Sequence, residues 1–284
     1  MIFGRSERLA ALAPHEVQAM RRAGLVVAAA LAAVRAAAVP GVSTLELDTV
    51  AREAILAQGA RPSFPEVPGY RHTLCISVNE AVVHGIPDER VLASGDLVSF
   101  DCGAILDGWH GDSAITVHVG GHEAADPADI ALSSATREAL WAGIGALRIG
   151  GRIGEVGAAV QASIERSGAT ATPGPIDFGI VTGYEGHGIG RELHMDPSVP
   201  NIGGHRGPKV RAGAVVAIEP MITLGTAQTH ELADDWTVVT DDGSRAAHWE
   251  HTVAVTSRGL WVLTADDGGA AELAARGLPF GGLD

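Results

Sequence analysis

Lysine is almost missing from this chain: Lys209 is the only one in 284 residues, and 34 acidic residues against 20 Lys and Arg leave a net charge of −14. No basic run interrupts that balance. A surface that tracks a nucleic-acid backbone needs a stripe of positive charge, so the composition argues against nucleic acid as a direct partner. Cysteine is nearly as scarce. Cys75 and Cys102 provide no disulfide framework, and a reducing cytoplasm suits such a chain best. Aromatic residues make up only 4% while hydrophobic residues make up 46%, so the core has to be built from Ala, Val, Leu and Ile.

A membrane-length apolar run is also wanting. Arg21-Arg22 followed by the apolar stretch 23–33 resembles the start of a signal peptide, but it begins well inside the chain and Arg35 interrupts it. The uninterrupted stretch falls short of the ~20 residues that a span requires. Val17, Met20, Gly24, Val27, Leu31, Val34 and Ala38 recur at helical spacing, which predicts an amphipathic core helix and no membrane association.

What is present is mixed secondary structure. Pro14 suits the first turn of that helix and Pro40-Gly41 ends it. Ser43 or Thr44 caps a second helix to about Gln58. Strands are expected at 74–78, 97–106 and 109–119, with Asp107-Gly108 as the tight turn between the last two. Helix returns from about Ala128 to Ser167, broken near Gly150-Gly151, and strands resume at 178–184, 214–218, 237–240 and 249–255. Helix-helix-strands thus occurs twice, in halves at about 10–125 and 126–265, with no linker between them. The expectation is one α+β domain over 1–284, with a flexible tail at 267–284.

The acids and histidines carry the chemistry. A hairpin folded about Asp107-Gly108 sets Gly103 opposite Asp112, which puts Asp101 and Asp112 on one face as diagonal neighbours ~7–8 Å apart. Taken alone, the plainer reading is two solvated acids at a turn; the other is a pair that shares a hard cation. Glu219 in Ala-Ile-Glu-Pro-Met and Glu250 in His-Trp-Glu-His-Thr lie in apolar or aromatic context. A buried lone carboxylate is costly, so each reads either as a strand-edge acid or as a cation ligand. Pro220 interrupts the ladder after Glu219. The run 186–190 is Gly-His-Gly-Ile-Gly; its glycines let the backbone press close to a bound object and leave the His187 imidazole exposed as a nitrogen ligand, the plainer reading being a Gly-rich turn with an incidental His. His194 follows seven residues later. His84 precedes Gly85-Ile86-Pro87, where a structural role is the simpler reading.

Taken together, five segments resemble type I methionine aminopeptidases. They are Ser77-Val78-Asn79-Glu80 through His84-Gly85-Ile86-Pro87, Asp107-Gly108-Trp109-His110-Gly111-Asp112, Gly186-His187-Gly188-Ile189-Gly190, Ile218-Glu219-Pro220-Met221 and Trp249-Glu250-His251-Thr252. The resemblance covers about residues 10–265. It implies a pita-bread α+β fold whose pseudo-two-fold halves enclose a curved antiparallel sheet and two divalent metal ions, with Mn, Fe(II), Co and Zn all admissible. Asp101 is then expected to chelate one metal and His187 and Glu219 the other, with Asp112 and Glu250 bridging. The implied chemistry is hydrolysis of the first peptide bond by metal-activated water. Glu219 doubles as proton shuttle, His194 donates to the carbonyl oxygen, and His84 contacts the scissile nitrogen. Tyr70, Cys75 and Trp236, with Phe64 and Leu193, are expected to line the methionine pocket, although Leu193 stands where many relatives carry an aromatic. Cys102, on the opposite strand face from Asp101, belongs to the core.

The implied substrate is the N-terminus of a nascent polypeptide with a small second residue, met by a monomer in transient contact with the ribosome. The absence of an N-terminal extension fits a minimal bacterial form. A proline-directed aminopeptidase or dipeptidase of the same fold is the rival, and it usually carries a preceding domain. A catalytically inactive binding relative is the other, and it usually lacks ligands that are present here.

Overall fold

The computed structural model describes residues 9–172 and 174–282. The first half opens with α1 (Pro14–Ala37) and α2 (Thr44–Leu56). Proline supplies the preset φ of the first turn of α1, and Glu16 reaches back so that its Oε2 accepts the N–H of Ala13 at 2.8 Å. Ser43 caps α2 reciprocally: its Oγ accepts the Glu46 N–H and Glu46 Oε2 accepts the Ser43 N–H. By length and composition α1 is apolar enough to cross a membrane, yet 56% of its apolar stretch is buried inside the protein, as the helical spacing of Val17, Met20, Val27, Leu31 and Val34 predicts.

The strands of this half are β1 (Arg61–Pro62), β2 (Leu74–Val78), β3 (Ala81–Val83), β4 (Leu97–Leu106) and β5 (Trp109–His118), with a single 3-10 turn at Phe64–Glu66. β1, β4 and β2 form one antiparallel sheet, and β5 pairs with β4. In the β4–β5 hairpin Asp107 and Gly108 have φ of 53° and 73°, the left-handed pair that a two-residue turn demands. The register then follows: Gly103 faces Asp112 and Asp101 faces Ala114.

The second half repeats the helix pair as α3 (Pro127–Ala146), capped by Asp126, and α4 (Gly154–Ala169). Its strands are β6 (Gly179–Ile180), β7 (Gly186–Gly188), β8 (Met195–Val199), β9 (Val215–Ile218), β10 (Met221–Thr223), β11 (Thr229–Glu231), β12 (Val238–Thr240), β13 (Ala246–His248), β14 (His251–Val255) and β15 (Leu260–Val262). β15, β14, β9, β7 and β8 form a five-stranded sheet; β13, β10 and β6 form another, and β11, β12 and β3 a third. The strand expected over 178–184 is reduced to two residues.

Each half has its own apolar core. Val27, Val34, Leu47, Leu74 and Phe100 belong to the first, and Leu140, Ile144, Val160, Val216 and Val253 to the second. The close seat of α1 on β5 is made by glycine. A Cβ on Gly111 would lie 2.8 Å from the Gly24 nitrogen, and one on Gly24 would lie 2.2 Å from the Leu263 carbonyl oxygen.

The tail is not loosely held over 267–282, contrary to the sequence expectation. Asp267 accepts the N–H groups of Gly269 and Ala271 at 2.8 and 2.9 Å and so starts α5 (Ala270–Ala275). Leu273 is fully buried in the second core, and Arg276 pairs with Glu138 at 2.9 Å. Residues 283–284 lie outside the described residues.

Candidate metal centre and substrate pocket

The site lies where strands change sheets. Ile218 pairs with His251 in the β9–β14 ladder, and Met221 pairs with His248 in the β10–β13 ladder. Between those pairs both strands break, at Glu219-Pro220 on one and Trp249-Glu250 on the other. Proline cannot donate to the ladder, so the break expected at Pro220 is matched by a second one opposite, and the single strand expected over 249–255 is divided. This crease turns both glutamates out of their sheets. β5 runs alongside and is laced to it: the Glu250 N–H donates to the Ala114 carbonyl at 2.9 Å, Ser113 Oγ to the Glu250 carbonyl at 2.6 Å, and Thr252 Oγ1 to the Asp112 carbonyl at 2.7 Å.

His187 reaches the same point from β7. Its flanking glycines act differently from the expectation that they admit a ligand. A Cβ on Gly186 would meet the Ala217 carbonyl oxygen at 2.4 Å, and one on Gly188 the Asp196 carbonyl oxygen at 2.1 Å. They make room for the neighbouring backbones, and the imidazole they carry is buried, 8% exposed, rather than accessible. Its Nδ1 lies 2.9 Å from the Gly188 carbonyl. A carbonyl only accepts, so Nδ1 carries the proton and the Nε2 lone pair faces the acids. Nε2 lies 3.5 Å from Glu219 Oε1 and 3.8 Å from Asp112 Oδ2.

Asp101, Asp112, His187, Glu219 and Glu250 thus line one cavity of about 120 Å³. Burial pushes the Asp101 carboxyl up to about 7. Burial and mutual repulsion push Asp112, Glu219 and Glu250 well above the usual carboxylate range. Among the described residues no Lys or Arg lines the cavity. Asp101 Oδ1, Asp112 Oδ1 and Glu250 Oε1 are buried without a hydrogen-bond partner, a costly state for any acceptor and more so for an anion. Such a donor set fits divalent cations. Donor atoms fall within 4.8 Å of one another in three groups: Asp101, Asp112 and Glu250; His187, Glu219 and Glu250; and Asp112, His187 and His194.

The remaining wall is apolar. Phe64, Val67, Tyr70, Cys75 and Trp236 line it together with His84 and His194. Trp236 stands edge-on to Tyr70 with ring centroids 4.9 Å apart, and the Tyr70 hydroxyl donates to the Leu74 carbonyl at 2.7 Å. His84 adopts φ of 59°, in the sparsely used left-handed region, while burial and the nearby His194 hold its imidazole down at about 4. His194 sits with its ring centroid 4.5 Å from that of His187.

Leu193 is the exception among the expected pocket residues. It is buried in the cluster behind the wall with Phe64, Tyr70 and Cys75 and does not line the cavity, whereas Val67, not anticipated, does. Cys102 is fully buried in the first-half core, as its strand parity predicts. His248 is a further residue that sequence reasoning passed over. It is buried, its Nε2 has no hydrogen-bond partner, and that atom lies 3.9 Å from Glu219 Oε2. The signal available was a polar residue ending the apolar pair Ala246-Ala247.

Comparison with known proteins agrees with this geometry. Residues 18–257 match the model of metallopeptidase family M24. Methionine aminopeptidase 1 of Mycobacterium tuberculosis is 57% identical over 251 residues, 88% of this chain and 92% of that protein. The crystal structure of methionine aminopeptidase from Thermotoga maritima superposes with a TM-score of 0.85 at 39% identity, covering 91% of this chain and all of the other. Prolidase from Pyrococcus furiosus, at 20% identity and a TM-score of 0.69 over 89% of this chain and 64% of its own, shares the fold. The chain belongs to metallopeptidase family M24.

Proposed function

We propose that this protein is a methionine aminopeptidase that removes the N-terminal methionine from peptides and nascent polypeptides whose second residue is small. The observation that carries this reading is the joining, in one small cavity, of four carboxylates, two buried and two half-buried, and one oriented imidazole to an apolar wall. Relatives that bear the name are similar over nearly their whole length.

Two divalent ions would be held by Asp101, Asp112, His187, Glu219 and Glu250. His187 has one free nitrogen and serves one ion. Asp112 and Glu250 each present two oxygens and each belong to two of the three donor groups, which supports their bridging. When bound, the ions lower the pKa of water and polarise the substrate carbonyl. Glu219 would accept the water's proton and return it to the leaving amine as well as binding metal. His194 would donate to the carbonyl oxygen as charge builds there, and His84, which lines the same cavity, would contact the scissile nitrogen. The acids beside the cavity attract a free α-ammonium group, so the substrate enters by its N-terminus. Phe64, Val67, Tyr70, Cys75 and Trp236 take the methionine side chain. A monomer working in the cytoplasm on chains leaving the ribosome completes the reading.

The test is turnover of Met-Ala-Ser after chelation, followed by titration with Mn, Fe(II), Co or Zn, with Gly-Pro and other Xaa-Pro substrates as controls. Activity that returns only with metal, and only on Met-Ala-Ser, is expected. Rapid Xaa-Pro hydrolysis with Met-Ala-Ser untouched would overturn the substrate assignment.

A further inference from the structure

A second cleft, of about 650 Å³ and in the size range of small-molecule sites, shares no described lining residue with the metal-centre cavity, although its wall residue Trp249 is next in sequence to Glu250. It is bounded by Arg35 near the end of α1, by His118 and His122 at the end of β5 and the turn after it, and by Ser133, Ser134 and Arg137 on α3. Trp249 forms part of its wall, and its indole N–H donates to Ser133 Oγ at 3.1 Å. His118 is six residues along β5 from Asp112, roughly 20 Å at ~3.4 Å per residue.

The charge of this cleft runs against that of the molecule. In a chain of net charge −14, none of the described residues that line it is acidic. Arg35 is exposed and has no ion pair among the described residues. The His118 and His122 rings stand edge-on, with centroids 5.2 Å apart. Burial first, then the neighbouring His122 and Arg245, hold the His118 imidazole below its ordinary range. Arg137 pairs with Glu272 but keeps 38% of its side chain exposed, with its guanidinium 6.0 Å from the Trp249 ring centroid.

Guanidinium groups, imidazoles and hydroxyls line the cleft with no described acidic residue beside them in the wall, Glu272 reaching only Arg137 among them from outside the lining, and such a donor set matches an oxyanion. They offer donors in several directions, and the potential favours negative charge. The geometry points to a binding site in this cleft for a tetrahedral oxyanion, either free or as the phosphoryl group of a small nucleotide. The volume exceeds that of a bare anion, and the half-buried Trp249 ring in the wall, which already faces the Arg137 guanidinium, is the aromatic surface that a base would meet.

The test follows the imidazole NMR signal of His118 in enzyme loaded with a diamagnetic divalent ion. Sulfate and adenosine monophosphate are titrated in separate arms at constant ionic strength, against sodium chloride. The comparison protein is the double variant Arg35→Gln, His122→Gln. Both residues are exposed and outside the metal centre, so its turnover of Met-Ala-Ser is expected to stay at the parent level. A saturable shift is expected, with affinity falling about tenfold in the variant, the size of one charge-assisted hydrogen bond. Tighter binding of the nucleotide than of sulfate identifies the stacked base as part of the ligand, while equal affinities identify the free oxyanion. A non-saturating drift that chloride reproduces, or unchanged affinity in the variant, would overturn the assignment.

Discussion

At the scale of single residues, His194 separates two roles that its position allows. Its donor nitrogen falls in a three-donor group with Asp112 and His187, yet the side chain is exposed and the acids supply enough ligands without it. If it donates to the developing oxyanion, His194→Ala should lower kcat by about 10²–10³-fold with metal content, measured by atomic emission, unchanged. Metal lost in step with activity would make it a ligand instead. Glu219 should behave in the opposite way, with Glu219→Ala abolishing turnover and reducing metal content together. Leu193 gives a third contrast. Because it packs behind the wall and is only 7% exposed, Leu193→Ala should cost about 2–5 kcal/mol of stability while leaving KM for Met-Ala-Ser little changed. A large KM effect without destabilisation would return it to the pocket.

At the scale of elements, legibility followed how strongly local rules fix geometry. The β4–β5 hairpin was readable because strand alternation and a two-residue left-handed turn leave one register, and that register alone put Asp101 and Asp112 on one face. The helix pairs were readable from caps and apolar spacing. Of the three-residue strands, β12 was marked by its Val238-Val239-Thr240 run, whereas β3, β7, β10 and β13 were not legible, since so few residues carry no period. The crease was half legible: Pro220 announced one break, but nothing in Trp249-Glu250 announced the break opposite, which pairing imposes. The glycines around His187 were misread for a related reason, because sequence reveals that space is needed but not which backbone fills it. The seat of α1 offers a test of that point. A methyl group on Gly24 has only backbone to meet, so Gly24→Ala should destabilise by about 1–3 kcal/mol despite the higher helix propensity of alanine. An unchanged melting temperature would contradict the close approach.

At the scale of the whole molecule, the pita-bread α+β fold sets two helix-backed cores against each other, with the acids at their junction. Asp101 and Asp112 arrive on β4 and β5 of the first half, and His187, Glu219 and Glu250 from strands and a crease of the second. Without cations, four carboxyl groups crowd a cavity in which no described Lys or Arg lines the wall, and they stay charged only at a cost that raises their proton affinity, so the halves meet across an unfavourable seam. With cations the same residues bind the halves to each other. Metal should therefore act as a stabilising ligand of the folded chain, worth about 2.7 kcal/mol when free metal is a hundredfold above its dissociation constant. Calorimetry should show a melting temperature that falls on chelation and recovers with the logarithm of added metal. The repulsion account makes a second demand. Asp112→Asn combined with Glu250→Gln removes two of the buried ionisable groups with little change of shape, so the metal-free double variant should melt above the metal-free parent while losing the response to metal. If the metal-free parent is instead the more stable of the two, the carboxylates are held by something other than the ions they would bind.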